Sequence, residues 1–251
     1  MSNLDDLALL ETAWSHFRQR KTWYSSTAVK MVGWLSRVVM TRMNELRIDG
    51  LSQLESVSER AGRGLLTFSN HVSMFDDPWL ISCFGLPEYE KIRWIAADAK
   101  NFFSGRFVGA LFSAGKCVPV VRGLGLDQPG FAFLEARLRE GDWVHLFPEG
   151  GRTRHEDGRM KMPFKPGIGR LIDVAEPIVL PFFHSGMGKV LPVGRSLPRS
   201  GNAVDVRFGE SVVMDRARID AITDGSTDDR ERIRRLTRWT EGALTALAPA
   251  T

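Results

Sequence analysis

The stretch Ser69-Asn70-His71-Val72-Ser73-Met74-Phe75-Asp76-Asp77-Pro78 puts an imidazole and a carboxylate five positions apart. A histidine within reach of an acid can serve as a general base, the acid holding one tautomer and stabilising the imidazolium that forms. Either Asp76 or Asp77 could be the partner of His71. Such pairs also arise by chance, so the stretch alone does not decide for catalysis.

Three further stretches carry side chains that could join it. Gly115-Lys116-Cys117-Val118-Pro119-Val120-Val121-Arg122 is an apolar run that delivers an arginine to its end. A planar, permanently charged fork there suits a phosphate or a carboxylate ligand, or equally a structural salt bridge. Phe147-Pro148-Glu149-Gly150-Gly151 closes another apolar run, its proline ending the ladder and its glycines allowing close approach of a ligand. Glu149 then projects from a rigid turn, either toward a ligand or as an ordinary turn glutamate. Val179-Leu180-Pro181-Phe182-Phe183-His184-Ser185-Gly186-Met187 reads as the wall of an apolar pocket or as core.

The elements that must position these residues follow from periodicity. Short apolar runs at 65–68, 92–97, 117–121, 143–147 and 178–183 read as strands, and 76–84, 101–113, 127–140 and 165–175 as helices. This alternation predicts an α/β fold, a mostly parallel central sheet flanked by helices. A later strand, Val204–Phe208, is expected at an edge, and 228–247 as an Arg-rich C-terminal helix. In an open parallel sheet, ligands bind beyond the carboxyl ends of the strands, where all four stretches would converge. Ahead of them lie helices over 4–20 and 26–46. In the second, Val29, Val32, Trp34, Leu35, Val38, Val39 and Met43 interleave with Lys30, Arg37 and Arg42. That pattern fits an amphipathic interfacial anchor or a surface helix packed on its own core. A polar helix to Arg63 follows Asp49-Gly50. The expected organisation is an N-terminal helical segment at 1–62, a core at 63–215 and a C-terminal helix packed on it at 216–251.

Composition narrows the partners. Across 251 residues the chain is 43% hydrophobic and 25% charged, ordinary for a globular protein. A net charge of +4, a pI near 9.3 and seven Trp against two Tyr suit an anionic, interfacial partner. From Lys91 to Arg122 six basic residues (Lys91, Arg93, Lys100, Arg106, Lys116, Arg122) face one acid, Asp98. A second group, Arg152, Arg154, Arg159, Lys161, Lys165 and Arg170, follows the glutamate turn. Both are solvated faces or sites for anionic lipid headgroups. No nucleic-acid motif is present, so a nucleic-acid partner is not expected. Cys83 and Cys117 form neither a disulfide framework nor a metal site, and no metal or cofactor is expected. A G-x-S-x-G elbow, a Walker loop and H-E-x-x-H are missing, and Gly167-Ile168-Gly169 lacks the third glycine of a dinucleotide fingerprint. The acidic start, with Asp5 and Asp6, is unlike a signal peptide. The apolar segments 28–43 and 102–121 are interrupted by charges, so neither is expected to span a bilayer.

Taken in order, His71-x4-Asp76, an arginine-ending strand, Phe147-Pro148-Glu149-Gly150 and an apolar-Pro strand resemble the glycerolipid acyltransferase superfamily. Within it the sequence is similar to the tafazzin family of phospholipid–lysophospholipid transacylases, which remodel cardiolipin. The similar text includes Asn70-His71 with Asp76-Asp77-Pro78, Gly115-Lys116-Cys117-Val118-Pro119-Val120, Gly141-Asp142-Trp143-Val144-His145, Phe164-Lys165-Pro166-Gly167-Ile168-Gly169-Arg170-Leu171-Ile172 and His184-Ser185-Gly186-Met187. It covers roughly residues 25 to 215. The resemblance implies that His71 deprotonates the free hydroxyl of a lysophospholipid while Asp76 orients it, with no covalent enzyme intermediate. It implies that Asn70, Arg122, Glu149 and Gly150 serve the substrate, with Arg122 and the Glu149-Gly150 turn holding the glycerophosphate head. Trp34, Lys30, Arg37 and Arg106 are expected at an anionic membrane surface, the chain lying on the membrane (on the cytoplasmic face of the inner membrane if bacterial). Two other readings stay open: an acyl-CoA-dependent lysophospholipid or 1-acylglycerol-3-phosphate acyltransferase, and a non-catalytic lipid-binding protein on the same fold.

Overall fold

The computed structural model describes residues 3–18, 22–57, 62–85, 91–153, 155 and 159–249. Arg154, one of the second basic group, lies outside them, as do residues 156–158. Two helices open the chain, α1 (Asn3–Arg18) and α2 (Thr22–Val38), the latter running into a π-helical turn at Val39–Met43. The turn ends because Asn44 is extended, its amide donating to the Val39 carbonyl at 2.9 Å. Then come β1 (Glu45–Asp49), α3 (Ser52–Ser56), β2 (Leu65–Ser69), α4 (Asp76–Ile81), β3 (Trp94–Asp98), α5 (Ala99–Phe102) and α6 (Arg106–Ala114). They are followed by β4 (Cys117–Val120), α7 (Pro129–Arg139), β5 (Trp143–Leu146), α8 (Gly167–Ala175), β6 (Ile178–Ser185) and α9 (Met187–Val190). β7 (Ala203–Phe208), β8 (Val212–Val213), α10 (Arg216–Thr223) and α11 (Asp229–Thr245) complete the chain.

The strands form one sheet in the order β1-β7-β6-β2-β5-β3-β4, with β8 beside β6. β6, β2, β5, β3 and β4 run parallel, and β7 is antiparallel to β6. The expected mostly parallel α/β sheet is what forms. Alternation on the central strands sorts two cores. Leu66 and Phe68 of β2 and Val144 and Leu146 of β5 join α1, α7, α8, α10 and α11 on one face. Leu65, Trp143, Ile178, Leu180 and Phe182 join α4 on the other. Each such fully buried large side chain contributes about 1.5–3 kcal/mol. Gly169 of α8 shows how tightly the layers close. A Cβ there would meet the Ile233 carbonyl of α11 at 2.3 Å, so this glycine serves helix packing.

Four expectations are corrected. Residues 45–46, read as the end of a helix, begin the edge strand β1, parallel to β7. Leu46 and Ile48 alternate with charges in a run too short to stand out beside the preceding helical pattern. β7 therefore lies inside the sheet, not at its edge; its alternating burial reflects one covered face. The helix expected over 101–113 is two, α5 and α6, broken at Phe103-Ser104-Gly105. The polar helix after Gly50 shrinks to α3, and residues 58–61 lie outside the described ones. No described helix is long and apolar enough to cross a membrane.

Candidate active site

The carboxyl ends of β2, β5 and β6 stand side by side, because β2 pairs with both neighbours. The chain leaving β2 turns at once into α4, and the turn is built by one side chain. Asp76 is 1% exposed, and its Oδ2 accepts the backbone N–H groups of Val72 (2.7 Å) and Ser73 (2.8 Å). The same oxygen lies 3.0 Å from His71 Nδ1. A carboxylate only accepts, so Nδ1 carries the proton and Nε2 is left as the base. Burial pushes the Asp76 carboxyl upward, but His184, His71 and the Ser73 N–H outweigh it and hold it below the ordinary carboxylate range. The neighbouring Asp77 takes a different partner: it is buried against Arg93, whose Nε donates to it at 2.6 Å. Geometry thus separates the two acids that the sequence offered.

His71 is held from three further sides. Its ring stacks on Phe147, centroids 3.9 Å apart and planes 11° from parallel. Its backbone N–H donates to Glu149 Oε1 at 2.6 Å, and its carbonyl accepts from Thr153 N–H at 2.7 Å. Glu149 is fully buried, and its Oε2 accepts the Lys161 N–H at 2.6 Å. Its carboxyl is pushed up by burial, against those two N–H bonds. Asn70, 1% exposed, faces the opposite way, its amide donating to the His184 carbonyl and accepting from the His184 N–H. Glu149 and Asn70 therefore back the site, while His71 and Gly150 face the cavity. Gly150 has φ of 68°, and the stem of Lys165 lies across it, 2.8 Å from where a Cβ would be. Any other residue there would be strained and would displace Lys165.

The cavity in front of His71 measures about 1180 Å³, above the usual range of roughly 300–1,000 Å³ for ligand pockets. Ile95, Phe102, Phe112, Val121, Phe131 and Ile168 give it apolar walls. Arg122, Lys161 and Lys165 stand at its polar end with Gly150 and Gly151. Arg122 is mostly exposed and pairs with Asp98 at 3.0 Å. Other members of the two basic groups are occupied elsewhere. Arg93 is buried on Asp77, Lys116 holds the Ile92 carbonyl over the Trp94 ring, and Arg170 pairs with Glu135 and Asp127. Lys30, Trp34 and Arg37 of α2 also line the cavity, Arg37 donating to the Ser82 carbonyl, whereas Arg106 stands exposed at the start of α6, outside it. The strand 179–182, open as pocket wall or core, is core. Lys161 and Lys165 belong to the second basic group expected from the sequence, whereas the stacking of Phe147 on His71 and the place of His184 beside Asp76 were not foreseen. Only β5 and β6 flanking β2 brings them to His71, although the strand-end positions of Phe147 and His184 were a usable signal.

Residues 45–185 match the Acyltransferase family model. The chain is 34% identical to Tafazzin of Drosophila melanogaster over 200 residues, 76% of this chain and 52% of that one. It is 32% identical to Taffazin of Dictyostelium discoideum, covering 74% and 69% of the two chains. N-acylphosphatidylethanolamine synthase of Arabidopsis thaliana is 32% identical, with 76% and 71% covered. The chain thus spans about half the length of the Drosophila relative. Among solved structures, the 1-acyl-sn-glycerophosphate acyltransferase PlsC of Thermotoga maritima superposes over all of both chains with a TM-score of 0.57 at 17% identity, a likeness of fold. The protein that places His71 and Asp76 before this cavity belongs to the acyltransferase family and, within it, to the tafazzins.

Proposed function

We propose that the protein is a phospholipid–lysophospholipid transacylase working at a membrane surface. The observation that carries this reading is the His71–Asp76 pair at the junction of a large apolar cavity and a cationic end. The acceptor lysophospholipid places its free hydroxyl on His71 Nε2, which takes the proton as the oxygen attacks the ester carbonyl of a donor phospholipid. Asp76 stabilises the imidazolium formed at that moment. The tetrahedral intermediate collapses, the C–O bond to the donor glycerol breaks, and the leaving oxygen recovers the proton from His71. One ester is lost and one gained, so no activated donor is needed, and the enzyme carries no acyl group between steps. Arg122, Lys161 and Lys165 meet the phosphate of the lipid head, Arg122 being set by Asp98.

Access to bilayer lipid is supported by the two helices beside the cavity. Met31, Trp34 and Leu35 of α2 and Phe107, Val108 and Leu111 of α6 are exposed apolar side chains, with Lys30 and Arg106 among them. Such a surface rests at the headgroup level of an anionic membrane.

Donor choice is tested by incubating the protein with a labelled lysophospholipid and either phosphatidylcholine or acyl-CoA. Transfer from phosphatidylcholine with acyl-CoA untouched is expected; consumption of acyl-CoA alone would make this an acyl-CoA-dependent enzyme on the same residues. The name of the Arabidopsis relative points to an amine acceptor, so phosphatidylethanolamine belongs in the same assay. Binding without turnover of any donor would leave a lipid-binding protein.

A further inference from the structure

Asp76 has a second imidazole beside it. His184, at the end of β6, brings Nε2 to 3.6 Å from Asp76 Oδ2. The same nitrogen lies 2.9 Å from the Asn70 carbonyl, which can only accept, so Nε2 carries the proton and Nδ1 is bare. His184 is 1% exposed and lies behind the cavity lining. Burial holds its ring below the ordinary imidazole range, against the pull of Asp76 and of the Asn70 carbonyl. The Asn70 amide closes the unit, donating to the His184 carbonyl at 2.8 Å and accepting from its N–H at 2.9 Å. The residue immediately before the catalytic histidine is thereby tied to β6 by three hydrogen bonds.

Packing alone does not call for an imidazole at this position. Neither His184 Nδ1 nor Asp76 Oδ1 has a hydrogen-bond partner among the described residues, and both are buried. An orphaned buried polar atom is a penalty that a leucine or phenylalanine at 184 would avoid. The titratable groups around the ring are Asp76 at the start of α4, His71 from the turn before it and His145 from β5. Burial holds His145 neutral, its Nδ1 2.9 Å from Thr67 Oγ1. The ring N–H of His184 is thus donated to the Asn70 carbonyl, with the carboxylate of Asp76 3.6 Å from the same nitrogen.

We propose that His184 is a positioning residue for the acyl-transfer reaction. Its neutral Nε2–H, held between the Asn70 carbonyl and Asp76, keeps Oδ2 turned toward His71 and shares the carboxylate charge that His71 feels. The proposal rests on His71 being the base, not on which donor is used. Without His184, Asp76 gains freedom to rotate and its charge falls more fully on His71. The imidazole of His71 should then hold its proton to higher pH, and the attacking geometry should loosen.

The test uses the full chain with ¹⁵N-labelled histidine, following the His71 ring nitrogens against pH in wild type, His184→Ala and His184→Gln. In His184→Ala the His71 midpoint should rise by roughly half a unit. The kcat of acyl transfer should fall about tenfold or more, with the KM for lysophospholipid nearly unchanged. The glutamine amide can donate to the Asn70 carbonyl and should recover part of both. A folded His184→Ala protein with an unmoved His71 midpoint overturns the proposal, whether or not its kcat has fallen. If His184→Ala does not fold, an unmoved midpoint in His184→Leu, which fills the space but has no donor, does the same. The titration needs no lipid, so a wrong donor assignment leaves it standing, and the donor assay on wild type tests that assignment separately.

Discussion

The back and the mouth of the site are made in opposite ways. Behind His71 the polar groups are buried and almost all paired: Asp76, Glu149, Asn70 and His184 together hold one turn of backbone. At the mouth, Arg122, Lys161 and Lys165 are exposed, and α2 and α6 carry apolar side chains that meet solvent. Buried groups lose little freedom on binding and fix geometry to within a few tenths of an ångström, as a proton transfer requires. Exposed long side chains adapt to a headgroup and contribute through charge, as surface recognition requires. In the proposed transacylase the chemistry is therefore rigid and the substrate recognition adaptable.

This contrast can be broken from the back first. Asp76→Asn replaces the carboxylate that orients His71 and stabilises its imidazolium with a neutral amide, and should lower transfer by roughly 10³-fold, within the span expected for general-base catalysis. Asp77→Asn, which disturbs only the pair with Arg93, should act through stability and leave the turnover of the folded fraction close to wild type; a comparable kcat loss in both would erase the distinction between the acids. Glu149→Ala strands the N–H groups of His71 and Lys161 and should cost about 2–4 kcal/mol of unfolding free energy, measured by urea titration, with the activity of the folded fraction falling as well. Glu149→Gln keeps one acceptor and should lie between.

At the mouth the effects should be smaller and of another kind. Arg122→Ala and Lys165→Ala should each raise the KM for an anionic lysophospholipid about tenfold at nearly constant kcat, less at high salt. A kcat loss instead would move these cations into the reacting centre. Trp34→Glu with Phe107→Glu should weaken flotation with anionic vesicles while transfer between detergent-dispersed lipids persists; equal loss in both assays would remove the membrane role of α2 and α6.

The candidate residues could be placed from the sequence more readily than the edges of the sheet around them. The four strand-end motifs were readable because apolar runs ending in His71, Arg122, Glu149 or His184 give each residue a position at the sheet edge. Their roles were less readable. Glu149 reads as a projecting side chain, yet it is buried, since only the fold shows that two N–H groups converge on it. Charge counting overstated the basic rim, because the partners of Arg93, Lys116 and Arg170 lie 16 to 43 positions away or on the backbone. β1 and the interior place of β7 depend on a pairing across more than 150 residues, which local pattern does not carry.

The smallest expected effect is in stability against pH. Asp76 titrates lower in the folded chain than in the unfolded one, so its carboxylate stabilises the fold above its unfolded value of about 3.9. That contribution is lost as pH falls through the folded value. Asp76→Asn should therefore lose less stability than wild type between pH 5 and strongly acid solution, read as the difference in urea midpoints. Equal slopes would mean that Asp76 is not held as a carboxylate in the folded state.

The most direct measurement is transfer of a labelled acyl chain from phosphatidylcholine to a lysophospholipid on anionic vesicles, comparing wild type with His71→Ala of equal thermal stability. Transfer by wild type and a fall of roughly 10³-fold or more in the variant is the predicted result. Near wild-type transfer by folded His71→Ala would contradict the account at its centre.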